Sequence, residues 1–507
     1  MVVATSLLLA VPVSLRAQMA ANANVPLEHW SVPYVEYLIR KQVIPDPLPL
    51  VRPFTVADLR GSLMEVDSTA ASTKDLDIIE RLLDEFGWDR DWVGVTIEAD
   101  AGVWAATHAR RNSNLRESGD GHVFPRIGAN GVLQVGMAAV VMHGEYDPNL
   151  DYDPDFAGKD SPIDAYYPNA YLAFRSKYFR ADFGRQRRNS GPTAVHSLVY
   201  SPVPYPYDHL FFMIGNRKVH GEFLVADIDP MIDSNGELSN RYFAAHRIAA
   251  QPWDFIDLAL WGGQIIAGPG QHWEMWFLNP VPIQHQSRDE QNRGTNVTIG
   301  GDGQLRLGDF RISGSLSLDD LQFFSSPEKN DEPPSYALTG VVDWAPPGLG
   351  VYSLEYSLIS NLSYRTHNPA ESFLTDQNLD RDRFGVGLAH NFTDYDLLTL
   401  KAGFIVGHCL LLRPELSVLR QGEGDLRAPF PPREDYPDLP SVHTGIVETT
   451  LRAAVQGTVA HPSGVTLAFD AGVHRISDYE HVEGASKTKF VGAVHLRYVF
   501  GTAISIE

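Results

Sequence analysis

Large apolar side chains alternate with small or polar ones along much of the C-terminal half of this 507-residue chain. A period of two belongs to β-strands, whose successive side chains point to opposite faces. Phe384-Gly385-Val386-Gly387-Leu388-Ala389 shows it, and the run from Val465 to His474 repeats it with Asp470 and His474 on the alternate face. Further runs read the same way: Leu133, Val135, Met137, Ala139 and Val141 on one face; Tyr352, Leu354, Tyr356 and Leu358; Val447, Thr449, Leu451, Ala453 and Val455; Phe490, Val494, Leu496, Tyr498 and Phe500. A soluble sandwich would bury these apolar faces in a core. An outer-membrane barrel would turn them to lipid and line a lumen with the polar faces.

Three features favour the barrel. The strands approach the ~9–11 residues that cross a bilayer. Aromatic residues cluster near strand ends, as girdles do. Connections alternate short and long, with 391–396 read as a short turn and 410–444 as a long loop. The start of that loop has Leu412, Leu416 and Leu419 at helical spacing. The expected fold is an all-β antiparallel transmembrane barrel of roughly 16–18 strands, although the pattern is less regular over 182–276. No stretch approaches the ~18 apolar residues of a spanning helix. Charges recurring on the polar face make Arg175, Lys177, Glu355, Lys401, Glu448, Arg452, Asp470 and Arg497 the expected lumen lining.

The N-terminal region reads differently. Residues 1–17 look like a signal peptide lacking a basic start, with cleavage after Ala17. Residues 18–90 form an expected helical bundle and 91–507 the barrel. One helix follows Pro33, and a second starts at Thr55 with Asp58 in its first turn. A third, over 74–86, places Leu76, Ile79, Leu82 and Leu83 on one face, with Gly87 as its stop.

The 41 basic and 63 acidic residues give a net charge of -22, which argues against nucleic acid. One cysteine, Cys409, excludes an internal disulfide. No cofactor or metal is expected. The acidic stretch 144–167 lacks the glycine of a calcium loop, having Phe156 there. His196 and Ser197 are adjacent, so on a strand they would face apart and form no catalytic pair. Asp319-Asp320 reads as an exposed strand end, and the aromatics of 273–280 as a mouth platform or an interface belt. Arg187, Arg188 and Asn189 in 182–192, then Arg420 and Arg427, supply planar donors suited to a sugar acid. A lumen charge ladder explains the first group as well.

The run FGRQRRNSGPTAVHSLVYSPVPYPYDHL, with Phe277-Leu278-Asn279-Pro280-Val281, Asn296 and Leu318-Asp319-Asp320-Leu321-Gln322, resembles the Wzi-type capsule-assembly family. That family usually has an aromatic residue before Gly191-Pro192, where this chain has Ser190. Glu28-His29-Trp30, Pro33 to Leu38 and Thr55 to Asp58 also resemble part of an S-layer homology repeat, with Val56 where arginine is usual. The resemblance implies about 18 strands, a periplasmic bundle in a Gram-negative outer membrane, and lectin-like, non-enzymatic attachment of capsular or extracellular polysaccharide. Outer-membrane lipid is the other expected partner, and a monomer is allowed. A passive sugar porin and, less favoured, an outer-membrane hydrolase are the alternatives. Such barrels generally finish on an aromatic residue, whereas this chain runs past Phe500 to Glu507: either Phe500 ends the last strand and a tail follows, or the assembly signal is atypical.

Overall fold

The computed structural model describes residues 19–67, 71–86, 93–108, 110–111, 115, 117–118, 121–146, 166–274, 277, 294–320, 333–379 and 382–506. The expected signal peptide, the acidic stretch 147–165 and most of 275–293 lie outside the described residues. Three helices come first: α1 (Val32–Arg40), α2 (Val56–Met64) and α3 (Thr73–Glu85). Thr55 caps α2 by accepting from Asp58 N, and Ser72 with Asp75 forms a full capping box on α3. The buried face of α3 is Ile78, Ile79 and Leu82; Leu76, expected there, is exposed.

Eighteen antiparallel strands then close into one barrel. The first nine are β1 (Val93–Ala106), β2 (His122–Val135), β3 (Ala138–Tyr146), β4 (Tyr166–Arg175), β5 (Phe179–Arg185), β6 (Asp208–Gly215), β7 (Val219–Ile232), β8 (Leu238–Trp253) and β9 (Ile256–Gly268). The rest are β10 (Gly294–Leu307), β11 (Phe310–Asp320), β12 (Ser335–Trp344), β13 (Val351–Ile359), β14 (Tyr395–Val406), β15 (Leu410–Gln421), β16 (Glu448–Ala460), β17 (Val465–Ser477) and β18 (Ser486–Ile506). Each strand pairs with its sequence neighbour, and β18 returns to pair with β1, Val93 opposite Ile506. Closure leaves no strand edge unpaired, a condition for backbone in lipid. The last strand thus runs past Phe500, against the first of the two readings of its end.

Eight connections of two to six residues lie at one end of the barrel; the other end carries the five-residue connection 233–237 and all the longer ones. Gly136 and Gly308 start two-residue turns at φ 56° and 55°, a left-handed conformation that glycine takes without strain. The Gly136 turn divides what the periodicity reads as one strand. Leu133 and Val135 face out, but Ala139 and Val141 face in.

Two further elements differ from expectation. Leu410–Gln421 is a barrel strand, because its neighbours β14 and β16 pair with it along its length. The leucine spacing there satisfies a helix and a strand alike. Residues 391–394 close the long connection 360–394, which contains a hairpin of Leu374–Leu379 and Asp382–Gly387. The alternating run at Phe384 belongs to that hairpin and not to the wall.

The wall is inverted relative to a soluble protein. Leu260, Leu416 and Phe490 are 75 %, 58 % and 59 % exposed on its outside, while Glu222, Arg247, Asp343 and Arg452 are buried inside. Exposed Ile97, Leu172, Leu354, Leu400, Leu451 and Val494 continue the apolar outer surface. A continuous apolar exterior on a closed barrel matches hydrocarbon as solvent. The inner charges pair between strands. Arg247 bridges Glu222 and, at 3.1 Å, Asp302. Arg452 joins Asp470, Glu415 at 3.0 Å and His474 at 2.8 Å. Buried charges are tolerable only when matched and hydrogen-bonded in this way.

Candidate functional site

The lumen is filled from both ends. The helical region enters at the short-turn end, where the Tyr34 hydroxyl donates to Cys409 O (2.6 Å) and Thr458 O (2.7 Å). Leu38, Leu59 and Leu82 share a core with Val351, Ile405 and Leu411 of the wall. From the long-loop end, 186–207 and 360–394 fold inward and pack Leu198, Tyr200, Tyr364, Phe373 and Leu388 against Phe211, Phe243 and Ile265. Arg241 fixes the second segment by donating to Ala370 O, Ser372 O and Leu374 O at 2.6–2.7 Å.

The two fillings meet inside the barrel. Val51–Arg52 pairs as a short strand with Asn189–Ser190. Arg52 is buried there, bonded to Glu36 (2.6 Å) and Asp46 (3.0 Å), with its guanidinium 3.9 Å over the Phe54 ring. Burial works to raise the Glu36 carboxyl. The charge and hydrogen bond of Arg52, with Arg40 and Arg311, outweigh it and bring it down to about 2. Where the two inward loops touch, His390 Nε2 lies 3.2 Å from His196 O and Nδ1 lies 2.6 Å from the Tyr395 hydroxyl. Burial, aided by Lys401, holds His196 down to about 4. Burial and neighbouring His196 hold His390 down to about 3. Ser197, beside His196, faces no base: its hydroxyl accepts from Val199 N and Tyr200 N and shapes a turn.

On the other side of the lumen the filling stops short of part of the wall. A cavity of about 250 Å³ lies between the N-terminal region and parts of β1–β4, β17 and β18, beside direct contacts such as Asn22 N to Gln134 and Asn24 N to the Tyr171 hydroxyl, both 2.9 Å. His29, Trp30 and Glu85 line it from the helical side. Glu98, Trp104, Arg126, Asn130, Glu145 and His495 line it from the wall. Their pattern is the period-two alternation itself, inward side chains on adjacent strands.

The expected binding residues divide by position. Arg188 is buried, bound to Asp182 and His209 (3.0 Å) and stacked 3.7 Å over Phe211. Asn189 accepts from Ser197 N at 2.9 Å. Both hold the inward loop and are not at a loop tip. Arg187 faces Glu28 at 3.5 Å. Arg420 stands on β15, not in a loop, and pairs with Asp396 on the outward side beside Tyr356. Arg427 is in the long-loop surface, donating to Gly385 O (2.7 Å) and Asn391 (2.5 Å). Burial lowers its guanidinium somewhat despite Asp425.

Of the expected lumen residues, Arg175 binds Asp182 and Asn24, Lys401 donates to Glu355 (2.6 Å), and Arg497 donates to Asp100 (2.7 Å). Arg452 and Asp470 pair as described, and Glu448 accepts from Glu480 N (2.7 Å) at the long-loop end. Lys177 is a correction. It sits exposed in the 176–178 turn, because the strand ends at Arg175 and parity no longer applies. The Asp319 carboxylate accepts from Tyr364 N and is structural.

The residue pattern did not single out an aromatic ledge on the long-loop surface. There the His367 and Phe430 rings lie 4.3 Å apart, Tyr436 stands edge-on to Phe430, and the Tyr436 hydroxyl is 3.2 Å from His367 Nε2. Arg365 lies behind, 5.9 Å from the Phe430 ring, donating to Pro429 O (2.7 Å). His367 and Arg365 lie some 60–70 positions from Phe430 and Tyr436, so no local spacing reveals the group.

No protein-family model and no curated protein matches the chain. Among solved structures, Wzi of Escherichia coli, described as an outer-membrane carbohydrate-binding β-barrel involved in group 1 capsule assembly, matches at TM-score 0.60 with 12% identity. The match covers 94% of this chain and 97% of Wzi. OprD from Pseudomonas aeruginosa matches at 0.43 with 8% identity over 82% of this chain and 94% of its own. OccAB4 of Acinetobacter baumannii matches at 0.45 with 8% identity over 82% and 99%. At these identities the likeness concerns the fold alone: this chain has the fold of an outer-membrane β-barrel, similar in structure to Wzi.

Proposed function

We propose that the protein attaches or organises capsular or extracellular polysaccharide at the surface of a Gram-negative cell, without catalysis. In this reading the short-turn end and helical region face the periplasm, and the long-loop surface faces outward. The observation that carries it is the filled lumen: both ends of the chain's own fold occupy it, leaving the exposed loop surface as the working face. On that surface the exposed His367 and half-buried Phe430 offer rings to the C–H faces of sugars, backed by the buried Tyr436, and Arg427 and Arg433 lie within the loops around them. The carbohydrate binding named for Wzi agrees in kind.

The test replaces Phe430 and His367 together by Ala and measures polymer retained on cells, alongside binding of the purified protein to the host's extracted polysaccharide. Loss of both, with the barrel still inserted, is expected; unchanged retention and binding reject the surface reading. A passive porin is favoured by one observation, the cavity beside β1–β4. Steady conductance of the purified protein in planar bilayers is the result that supports it instead.

A further inference from the structure

We propose that the cavity between the helical region and β1–β4, β17 and β18 is a binding site for a single neutral pyranose. This goes beyond the surface reading and stands without it. The cavity runs from His461 and Gly464 at the short-turn end to Trp104 near the far end of β1. At about 250 Å³ it is near the lower end of small-molecule sites, ~300 Å³. That suits one sugar unit better than a chain.

Trp104 is held rigidly. Its ring stacks on Phe124 at 6.4 Å and 18°, and His495 lies 5.6 Å away at 53°. The indole Nε1 is buried and has no hydrogen-bond partner among the described residues. A buried donor left unmatched carries a desolvation cost that a ligand oxygen removes. Beside it stand planar polar groups already oriented by one another. Arg126 and Arg497 stand opposite Gly102, two residues from Trp104; Arg126 binds Glu145 with its Nη1 3.4 Å from His495 Nε2, and Arg497 donates to Asp100 (2.7 Å).

An aromatic face bordered by preset carboxylate and guanidinium edges is complementary to a pyranose. Such a ring has one C–H face and a rim of hydroxyls that both donate and accept. Charge selects a neutral ligand over an anion. Both guanidiniums beside Trp104 are matched, Arg126 by Glu145 and Arg497 by Asp100, so neither is left over for a carboxylate or phosphate.

The experiment uses the full chain purified in detergent and titrated with glucose, N-acetylglucosamine and glucuronate, with binding followed by saturation-transfer NMR. Saturable binding of at least one of the two neutral sugars is expected, weakened roughly tenfold or more by Trp104→Ala and by Arg126→Ala. Trp104→Phe, which keeps a ring, should retain more affinity than Trp104→Ala. Heat-modifiable gel mobility verifies that each variant keeps its barrel. Binding of glucuronate alone, of no sugar, or equal binding by wild type and both alanine variants overturns the proposal. Polymer retention by cells carrying Trp104→Ala separates this site from the surface ledge, since retention there should be unchanged.

Discussion

From β6 to β15 the wall faces a packed interior, whereas from β17 round to β4 it borders a gap lined by polar side chains. The strands of both arcs pair antiparallel with their neighbours; their inward residues differ. On the packed side Phe211, Met213, Leu224, Phe243 and Ile265 point inward among the polar residues and meet Leu198, Tyr364 and Phe373 of the inward loops. On the open side Glu98, Trp104, Arg126, Asn130 and Glu145 point inward and meet one another. The lesson is that a lumen is closed by giving one arc of the wall a second apolar face. That arc also shows why the pattern over 182–276 is irregular: where both faces of a strand are apolar, alternation fades.

The largest expected break in this comparison comes from Phe243→Ala, which opens a void between β8 and the inward loop. It should cost about 3–5 kcal/mol, read as a lower melting temperature in detergent. Asn130→Ala on the open side should cost within about 1 kcal/mol. Equal losses at the two sites would mean that the packing contrast has no energetic meaning.

The outer wall should not distinguish the two arcs. Leu416→Arg on β15 and Leu172→Arg on β4 should each cost up to about 2–4 kcal/mol in lipid, scored by refolding yield into vesicles. Tolerance of both charges would reject hydrocarbon as the solvent of that face.

Acid should loosen the packed side in two stages. His196 and His390 are buried neutral, with values of about 4 and about 3 against an ordinary 6.5. Depressed values mean that the unfolded chain takes up protons first as pH falls, so their stabilisation is full above 6.5 and declines below it. Glu36, lowered from 4.5 to about 2, contributes above 4.5 and loses its contribution as pH falls toward 2. Protease cleavage of 186–207 or 360–394 should therefore begin at a higher pH than release of the helical region. The opposite order would contradict these assignments.

The smallest effect belongs to Arg420→Ala. Its side chain is half exposed and its partner Asp396 sits at the rim, so the loss should stay within about 1 kcal/mol. A larger loss by thermal melting would show that this pair does more than decorate the barrel mouth.

Several particulars were legible before any fold was known. The Thr55 and Ser72 helix starts follow from local hydrogen bonding, which neighbouring residues decide. The lumen positions of Glu355, Lys401, Arg452 and Asp470 follow from strand parity. Where a turn resets parity, as at Gly136 or after Arg175, the same rule misplaces Val141 and Lys177. Arg188 and Asn189 suited a ligand by residue type alone; the inward fold of 186–207 gives their donors and acceptors to the chain itself.

The chain's own letters determine that most of it forms strands and which face of each is oily, because alternation is a local property repeated in many segments. Which arc of the lumen is filled, which arginines are consumed in holding the filling, and that Trp104 is left with an unmatched donor were decided only by the tertiary structure. Those outcomes depend on contacts between residues tens to hundreds of positions apart, and no short-range pattern carries that information.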